Sequence, residues 1–160
     1  MKETILLVED EENDIFFMKR ALQHAGVTQE LQVVRDGQAA IDYLRHAIYG
    51  SHGQLSLPRL VLLDLKLPQV MGMEVLQWIR QQHELQTMIV IVFTSSRMQS
   101  DIDAAYRSGA NSYLVKPGSS DQLLKIARLI KEYWLNINQS APESTEPIIE
   151  KAGKDWIAIR

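Results

Sequence analysis

The chain has 160 residues, of which 46% are hydrophobic, and this size fits one domain around one core. Its 17 basic and 20 acidic residues give a formal charge of -3, which argues against a surface for nucleic acid phosphates. The absence of cysteine excludes disulfides and thiol catalysis, and no apolar run reaches the roughly 18 residues of a membrane span. Since no signal-peptide pattern follows Met1, we expect a cytoplasmic protein with neither nucleic acid nor membrane as a partner.

Short apolar runs alternate with longer amphipathic segments along the chain. In order, the runs are Ile5 to Val8, Leu31 to Val34, Leu60 to Leu63, Met88 to Phe93 and Tyr113 to Val115. Between the runs, apolar residues recur at helical spacing. This alternation is typical of a parallel sheet whose crossover helices cover both faces, so we predict five β–α units.

Residues that typically begin or end helices fit this scheme. Gly26 and Gly109 are predicted to end helices, and Ser119 with Gln122 has the spacing of a capping box that opens the last helix. The polar connection from His46 to Pro58 is longer than the usual helix-to-strand link and is predicted to be a surface insertion.

The C-terminal part of the chain departs from this alternation. From Asn138 to about Glu146 the composition turns to Ser, Pro, Glu and Thr. We therefore predict one domain over residues 1–136 and a tail over residues 137–160 that is too short for a separate output domain.

Chemically active side chains follow four of the five runs. Glu9 and Asp10 follow the first run, Asp64 the third, Thr94 the fourth and Lys116 the fifth. Each acid alone is explained equally well as a helix cap or turn former. Because the carboxyl ends of parallel strands share one edge of a sheet, four such ends favour a common site.

Crowded carboxylates repel each other unless a cation holds them ionised. Hard oxygen ligands with room for water and a phosphate suit Mg²⁺. The turn from Glu9 to Asp14 is acidic where a dinucleotide site would need glycines, so this edge of the sheet is predicted to bind Mg²⁺ rather than a nucleotide cofactor.

Four stretches together resemble the receiver domain of bacterial response regulators. They are Val8 to Asp10, Asp64 to Gly72, Phe93 to Ser95 and Tyr113 to Pro117, and the resemblance runs from about residue 3 to 136. The resemblance implies a doubly wound α/β fold with strand order 2-1-3-4-5. The long loop before the third strand and the ending Glu132 to Leu135 are similar to stand-alone receivers that serve cyanobacterial phytochrome kinases.

The resemblance implies a role for each matching residue of the acidic group. Asp64 would be the phosphoacceptor, the carboxylate that attacks a phosphohistidine and becomes an acyl phosphate. Asp10 and Asp64 would bind Mg²⁺ directly, the backbone carbonyl of Lys66 would be a third ligand, and Glu9 would act through water.

The resemblance also implies roles at the last two strands. Lys116 and the hydroxyl of Thr94 would bind the phosphoryl oxygens. Thr94 and the aromatic Tyr113 would form the switch that reports phosphorylation, and the bond before Pro117 is a candidate for the cis isomer.

These roles imply a phosphoacceptor of a two-component phosphorelay rather than an enzyme, with at most self-phosphorylation from small donors and autodephosphorylation. Its expected partners are a sensor histidine kinase, of phytochrome type by the resemblance, and an unidentified downstream protein. A homodimer is expected through the face of the fourth helix, fifth strand and fifth helix, near Tyr106, Tyr133 and Trp134.

Two other functions share some of these features. A haloacid-dehalogenase-like phosphatase also places an Asp nucleophile and Mg²⁺ after a strand, but it needs a second Asp two residues later, where this chain has Lys66. A pseudo-receiver that binds partners without phosphorylation is less favoured, because Asp10, Asp64, Thr94 and Lys116 are all present.

Overall fold

A computed structural model describes residues 3–50 and 56–141 of the chain. Within these residues, the sheet has five strands: β1 (Thr4–Val8), β2 (Glu30–Val34), β3 (Leu60–Leu63), β4 (Val90–Thr94) and β5 (Ser112–Val115). All neighbouring strands are parallel, and their order is β2-β1-β3-β4-β5. The predicted doubly wound α/β fold and its strand order are confirmed.

Helices connect the strands and follow the last one. They are α1 (Glu12–His24), α2 (Gly37–Tyr49), α3 (Gly72–Gln81), α4 (Gln99–Arg107) and α5 (Ser120–Leu129). A short 3-10 turn, His83–Leu85, precedes β4, and α5 continues as a π-helical segment, Ile130–Ile137.

The central strands are apolar on both sides because helices cover both faces of the sheet. Successive side chains of β1 point to opposite faces. Ile5 and Leu7 pack in the core under α1 and α5, whereas Leu6 and Val8 pack in the core under α2 and α3. The second face continues to α4, which buries Ala105.

Most of the predicted helix-ending and helix-capping residues are confirmed. Gly26 and Gly109 follow the ends of α1 and α4 with φ of 74° and 95°, a region that glycine adopts without steric cost. The Ser119 hydroxyl accepts a hydrogen bond from the backbone N–H of Gln122 at 3.3 Å and so caps α5.

Two predictions are wrong in detail. The connection predicted from His46 starts later, because α2 runs to Tyr49 and ends where Gly50 takes an extended conformation. The described residues contain no cis peptide bond, so the bond before Pro117 is trans, the isomer that X–Pro bonds favour by about 0.5 to 1 kcal/mol.

The rest of the predicted insertion, residues 51–55, and most of the predicted tail, residues 142–160, lie outside the described residues. Among the helices that are described, none is long and apolar enough to cross a membrane.

Candidate functional site

The sheet brings the predicted site residues to one edge. β1 and β3 are neighbours with Val8 opposite Leu63, so the residues that follow each strand lie side by side. The backbone N–H of Asp64 donates to the carbonyl of Val8 at 3.1 Å, and that of Lys116 donates to the carbonyl of Thr94 at 2.8 Å. These bonds hold the ends of β3 and β5 against the ends of β1 and β4.

Three carboxylates meet at this edge. Oxygens of Glu9, Asp10 and Asp64 all lie within 4.8 Å of one another. Glu9 and Asp64 are only 1% and 6% exposed, and Asp10 is half-buried. Buried acids at this separation need a positive charge between them.

Lys116 supplies one positive charge. Its Nζ lies 2.6 Å from Oε2 of Glu9, 2.7 Å from Oδ2 of Asp64 and 2.7 Å from Oδ2 of Asp14. An ammonium group has three N–H donors, so each of them has a carboxylate acceptor. Asp14, in the first turn of α1, is a site residue that the sequence interpretation missed.

Burial and ion pairing act in opposite directions on these groups. Burial raises the pKa of the Glu9 carboxyl, and this effect exceeds the lowering by Lys116 and by the backbone N–H of Glu11. Burial alone would lower the pKa of the Lys116 amine. The hydrogen bonds to Asp14, Asp64 and Glu9 together raise this pKa by more than burial lowers it, so it lies above its usual value. Lys116 is therefore a permanent cation of the pocket at neutral pH.

The donor set fits the predicted metal. Glu9, Asp14 and Asp64 contact the ammonium of Lys116, and Asp10 lies beside Glu9 and Asp64, so the acids of the pocket outnumber the ammonium that they share. Three of these acids offer oxygens within 4.8 Å, and oxygen is the ligand that Mg²⁺ prefers. The backbone N–H of Lys66 donates to Oδ1 of Asp64 at 3.3 Å and so turns the following loop around the pocket.

Thr94 and Tyr113 lie on the other side of the pocket. Thr94 is fully buried, and its hydroxyl has no hydrogen-bond partner among the described residues. The hydroxyl of Tyr113, which is half-buried, donates to the carbonyl of Ser96 at 3.0 Å in the loop that follows Thr94. Ser96 is a second residue that the sequence interpretation did not single out.

A cleft of about 380 Å³ opens beside Lys116, between the starts of α1 and α5. Asp14, Phe17, Phe93 and Leu123 are among its lining residues. The cleft therefore adjoins the acidic pocket on the side of Lys116 and Asp14.

A parallel sheet of this order, with acids and a lysine at its carboxyl edge, defines the flavodoxin-like class to which signalling receivers belong. Comparison with known proteins identifies the family within this class. Residues 5–128 match the response regulator receiver domain, so the chain belongs to that family of two-component signalling.

Known relatives extend over most of the chain. The probable methanogenesis regulatory protein FilR2 of Methanothrix harundinacea is 45% identical over 136 residues, 85% of this chain and 86% of the relative. The response regulator Rcp1 of Synechocystis is 37% identical over 131 residues, 82% of this chain and 88% of the relative.

Solved structures agree with the sequence relatives. The phosphorylated cyanobacterial phytochrome response regulator RcpA has a TM-score of 0.79 at 36% identity and covers 88% of this chain and 99% of its own. The bacteriophytochrome response regulator RtBRR has a TM-score of 0.68 at 39% identity, with 90% and 87% covered. The predicted resemblance to phytochrome-linked receivers is confirmed.

Proposed function

We propose that this receiver takes a phosphoryl group from a histidine kinase onto Asp64 and signals through protein contacts. The observation that carries the proposal is the setting of the Asp64 carboxylate. It is buried at the end of β3, 2.7 Å from the ammonium of Lys116 and within 4.8 Å of oxygens of Glu9 and Asp10. The ammonium can stabilise the negative charge of an incoming phosphoryl group directly, and the carboxylates would do so through a bound Mg²⁺.

The transfer is a displacement at phosphorus. A carboxylate oxygen of Asp64 forms a P–O bond while the P–N bond of the kinase phosphohistidine breaks. The imidazole leaves with the bonding electron pair and takes up a proton. Hydrolysis of the resulting acyl phosphate restores the carboxylate, so self-phosphorylation from small donors and autodephosphorylation are the reactions we assign to the chain.

Mg²⁺ would be held by Asp10, Asp64 and the backbone carbonyl of Lys66, with Glu9 acting through water. When bound, the ion neutralises charge on the transferring phosphoryl group. The excess of carboxylates over the single ammonium supports this assignment.

Lys116 and Thr94 would bind the phosphoryl oxygens. Lys116 already touches Asp64, and the hydroxyl of Thr94 is buried at the end of β4 with a free donor and acceptor among the described residues. A fixed donor beside the developing charge needs little reorganisation during transfer. Tyr113, bonded to the loop after Thr94, would carry the change to the surface.

We assign the receiver to residues 1–136, regard residues 137–160 as its tail, and place the protein in the cytoplasm with its kinase. Relatives described as phytochrome and bacteriophytochrome response regulators support a photoreceptor-type kinase as its partner. The cleft beside Lys116 is where the phosphohistidine of the kinase would enter.

The test is phosphorylation by acetyl phosphate and Mg²⁺, read by intact-protein mass. We expect one phosphoryl group on the unchanged protein and none on Asp64→Asn, because an amide has nearly the same shape but is not a nucleophile. Asp103→Asn, an exposed acid on α4, is the control and should be phosphorylated normally. A base-labile phosphoryl group on Asp64→Asn would contradict the proposal.

The same experiment tests the two other functions. A pseudo-receiver would acquire no phosphoryl group under any condition. A phosphatase of the haloacid-dehalogenase type would instead release phosphate from many equivalents of an aryl phosphate, but Lys66 stands where its second Asp is needed.

A further inference from the structure

The ammonium of Lys116 is the only charged partner that Glu9 and Asp64 share among the described residues. Both acids also belong to the cluster that fits a divalent ion. An arriving ion and Lys116 would therefore draw on the same two carboxylates.

Asp14 differs from the other two acids around Lys116. It binds the ammonium as closely, at 2.7 Å, but it is not part of the cluster formed by Glu9, Asp10 and Asp64. Asp14 comes from the first turn of α1, whereas Glu9 and Asp64 end strands. It can thus keep its bond to Lys116 when Glu9 and Asp64 turn to another cation.

We propose that Asp14 is a positioning residue that anchors Lys116 while the metal ion enters the pocket. The proposal rests on the proposed function, because it assumes that this pocket binds Mg²⁺. With Asp14 present, Lys116 can give up two acceptors and still keep a charged partner. Two N–H donors are then released toward the phosphoryl oxygens of Asp64.

Without Asp14, the charged partners that remain to Lys116 among the described residues are Glu9 and Asp64, and both would also serve the ion, Asp64 directly and Glu9 through water. Mg²⁺ binding then leaves a largely buried ammonium without a carboxylate, which is costly. Removing Asp14 should therefore weaken Mg²⁺ binding although Asp14 is not a proposed ligand.

The test measures the Mg²⁺ dissociation constant of the full-length protein by calorimetry. Asp14→Asn should raise it about tenfold, the size of a typical coupling between groups in one charged network. Glu11→Gln, an exposed acid in the preceding loop that does not contact Lys116, removes the same charge and should raise it about twofold or less. Equal effects of the two variants would mean that Asp14 acts only as a distant charge, and the anchor would be refuted.

Lys116→Met provides the second background for a double-mutant cycle between Asp14 and Lys116. In this background Asp14→Asn should add no more than Glu11→Gln does, because the group that Asp14 anchors is gone. A persisting tenfold effect would make Asp14 a metal ligand and refute the anchor, as would tighter Mg²⁺ binding by Asp14→Asn. Failure of the unchanged protein to bind Mg²⁺ would instead refute the proposed metal site itself. Even if Lys116→Met does not fold, equal effects of Asp14→Asn and Glu11→Gln would still refute the anchor.

Discussion

Thr94 is fully buried, and its hydroxyl has no hydrogen-bond partner within the described part of the chain. A buried hydroxyl without a hydrogen bond destabilises a fold by about 1 to 3 kcal/mol. The hydroxyl of Thr4, at the start of β1, likewise has no partner among the described residues, and Thr4 is 8% exposed. Thr4 lies at the other end of the sheet. Only Thr94 lies where a phosphoryl group would supply the missing partner.

Thr94→Val should therefore stabilise the unphosphorylated protein by about 1 kcal/mol, since valine keeps the shape and removes the unpaired oxygen. For a chain of this size that corresponds to a rise of about 2 to 4 °C in Tm, measured by circular dichroism. Thr4→Val should give a similar rise and serves as the control. A lower Tm for Thr94→Val would mean that the hydroxyl is satisfied in solution.

Asp14 is the residue that sequence reasoning had least chance to place. It lies 102 residues from Lys116 and one helical turn beyond Asp10, within a run of acids that reads equally well as the solvated start of a helix. Helical side chains tilt toward the N-terminus of their helix, and this directs Asp14 back to the pocket. The sequence shows the run of acids, but it does not show that the Asp14 side chain is directed toward the pocket.

At the scale of elements, the loop between β4 and α4 connects the pocket to the surface. Thr94 ends β4, the carbonyl of Ser96 follows two residues later, and the hydroxyl of Tyr113 binds that carbonyl. The resemblance to receivers implies that Tyr113 is part of the switch that reports phosphorylation. Since the hydroxyl of Tyr113 is bonded to this loop, the expected response to phosphorylation is a change in this hydrogen bond.

We expect phosphorylation to move Thr94 toward the new oxygens and to change the environment of Tyr113 through Ser96. One charge-assisted hydrogen bond of about 1.5 to 3 kcal/mol biases a two-state loop roughly ten- to hundredfold. Thr94→Val should accept the phosphoryl group but lose most of the change in the NMR signals of the Tyr113 ring, whereas Thr4→Val should keep it. An equal response of Tyr113 in both variants would show that the coupling bypasses Thr94.

The strands were predictable because the central ones are covered on both faces and read as uninterrupted apolar runs. Helix ends were less predictable. α2 continues to Tyr49, since Leu44 and Ile48 lie one turn apart on either side of the polar His46 and both pack in the core. The change from α- to π-helix at Ile130 has no sequence signal that we recognise.

At the scale of the molecule, α5 and its π-helical extension present an apolar surface. Leu129, Tyr133 and Ile137 recur at intervals of four and are 58%, 53% and 63% exposed. Trp134 turns the other way, packs against the core and meets the Tyr133 ring edge-on at 4.8 Å. Exposed apolar side chains in a row mark surfaces that bind other proteins.

This surface supports the predicted homodimer through α4, β5 and α5. Tyr133→Arg should raise the dimer dissociation constant at least about tenfold, because a charge would replace an exposed aromatic side chain of this surface. Light scattering after gel filtration measures the change. Tyr49→Arg is the control, since Tyr49 is 65% exposed on α2, in the other helical layer. A monomer at every concentration, with and without phosphorylation, would contradict the prediction.

The loop that follows Asp64 is held from both sides. A methyl group on Gly72 would lie 1.9 Å from the carbonyl oxygen of Asp64, and one on Gly37 would lie 1.9 Å from that of Val70. The backbones at the starts of α2 and α3 therefore lie directly against the backbone of this loop. No flexible side chain lies between them that could move aside. Across the pocket, α4 buries only Ala105. The loop after Asp64 is therefore packed closely against two helices, and any movement in response to phosphorylation is expected on the side of α4.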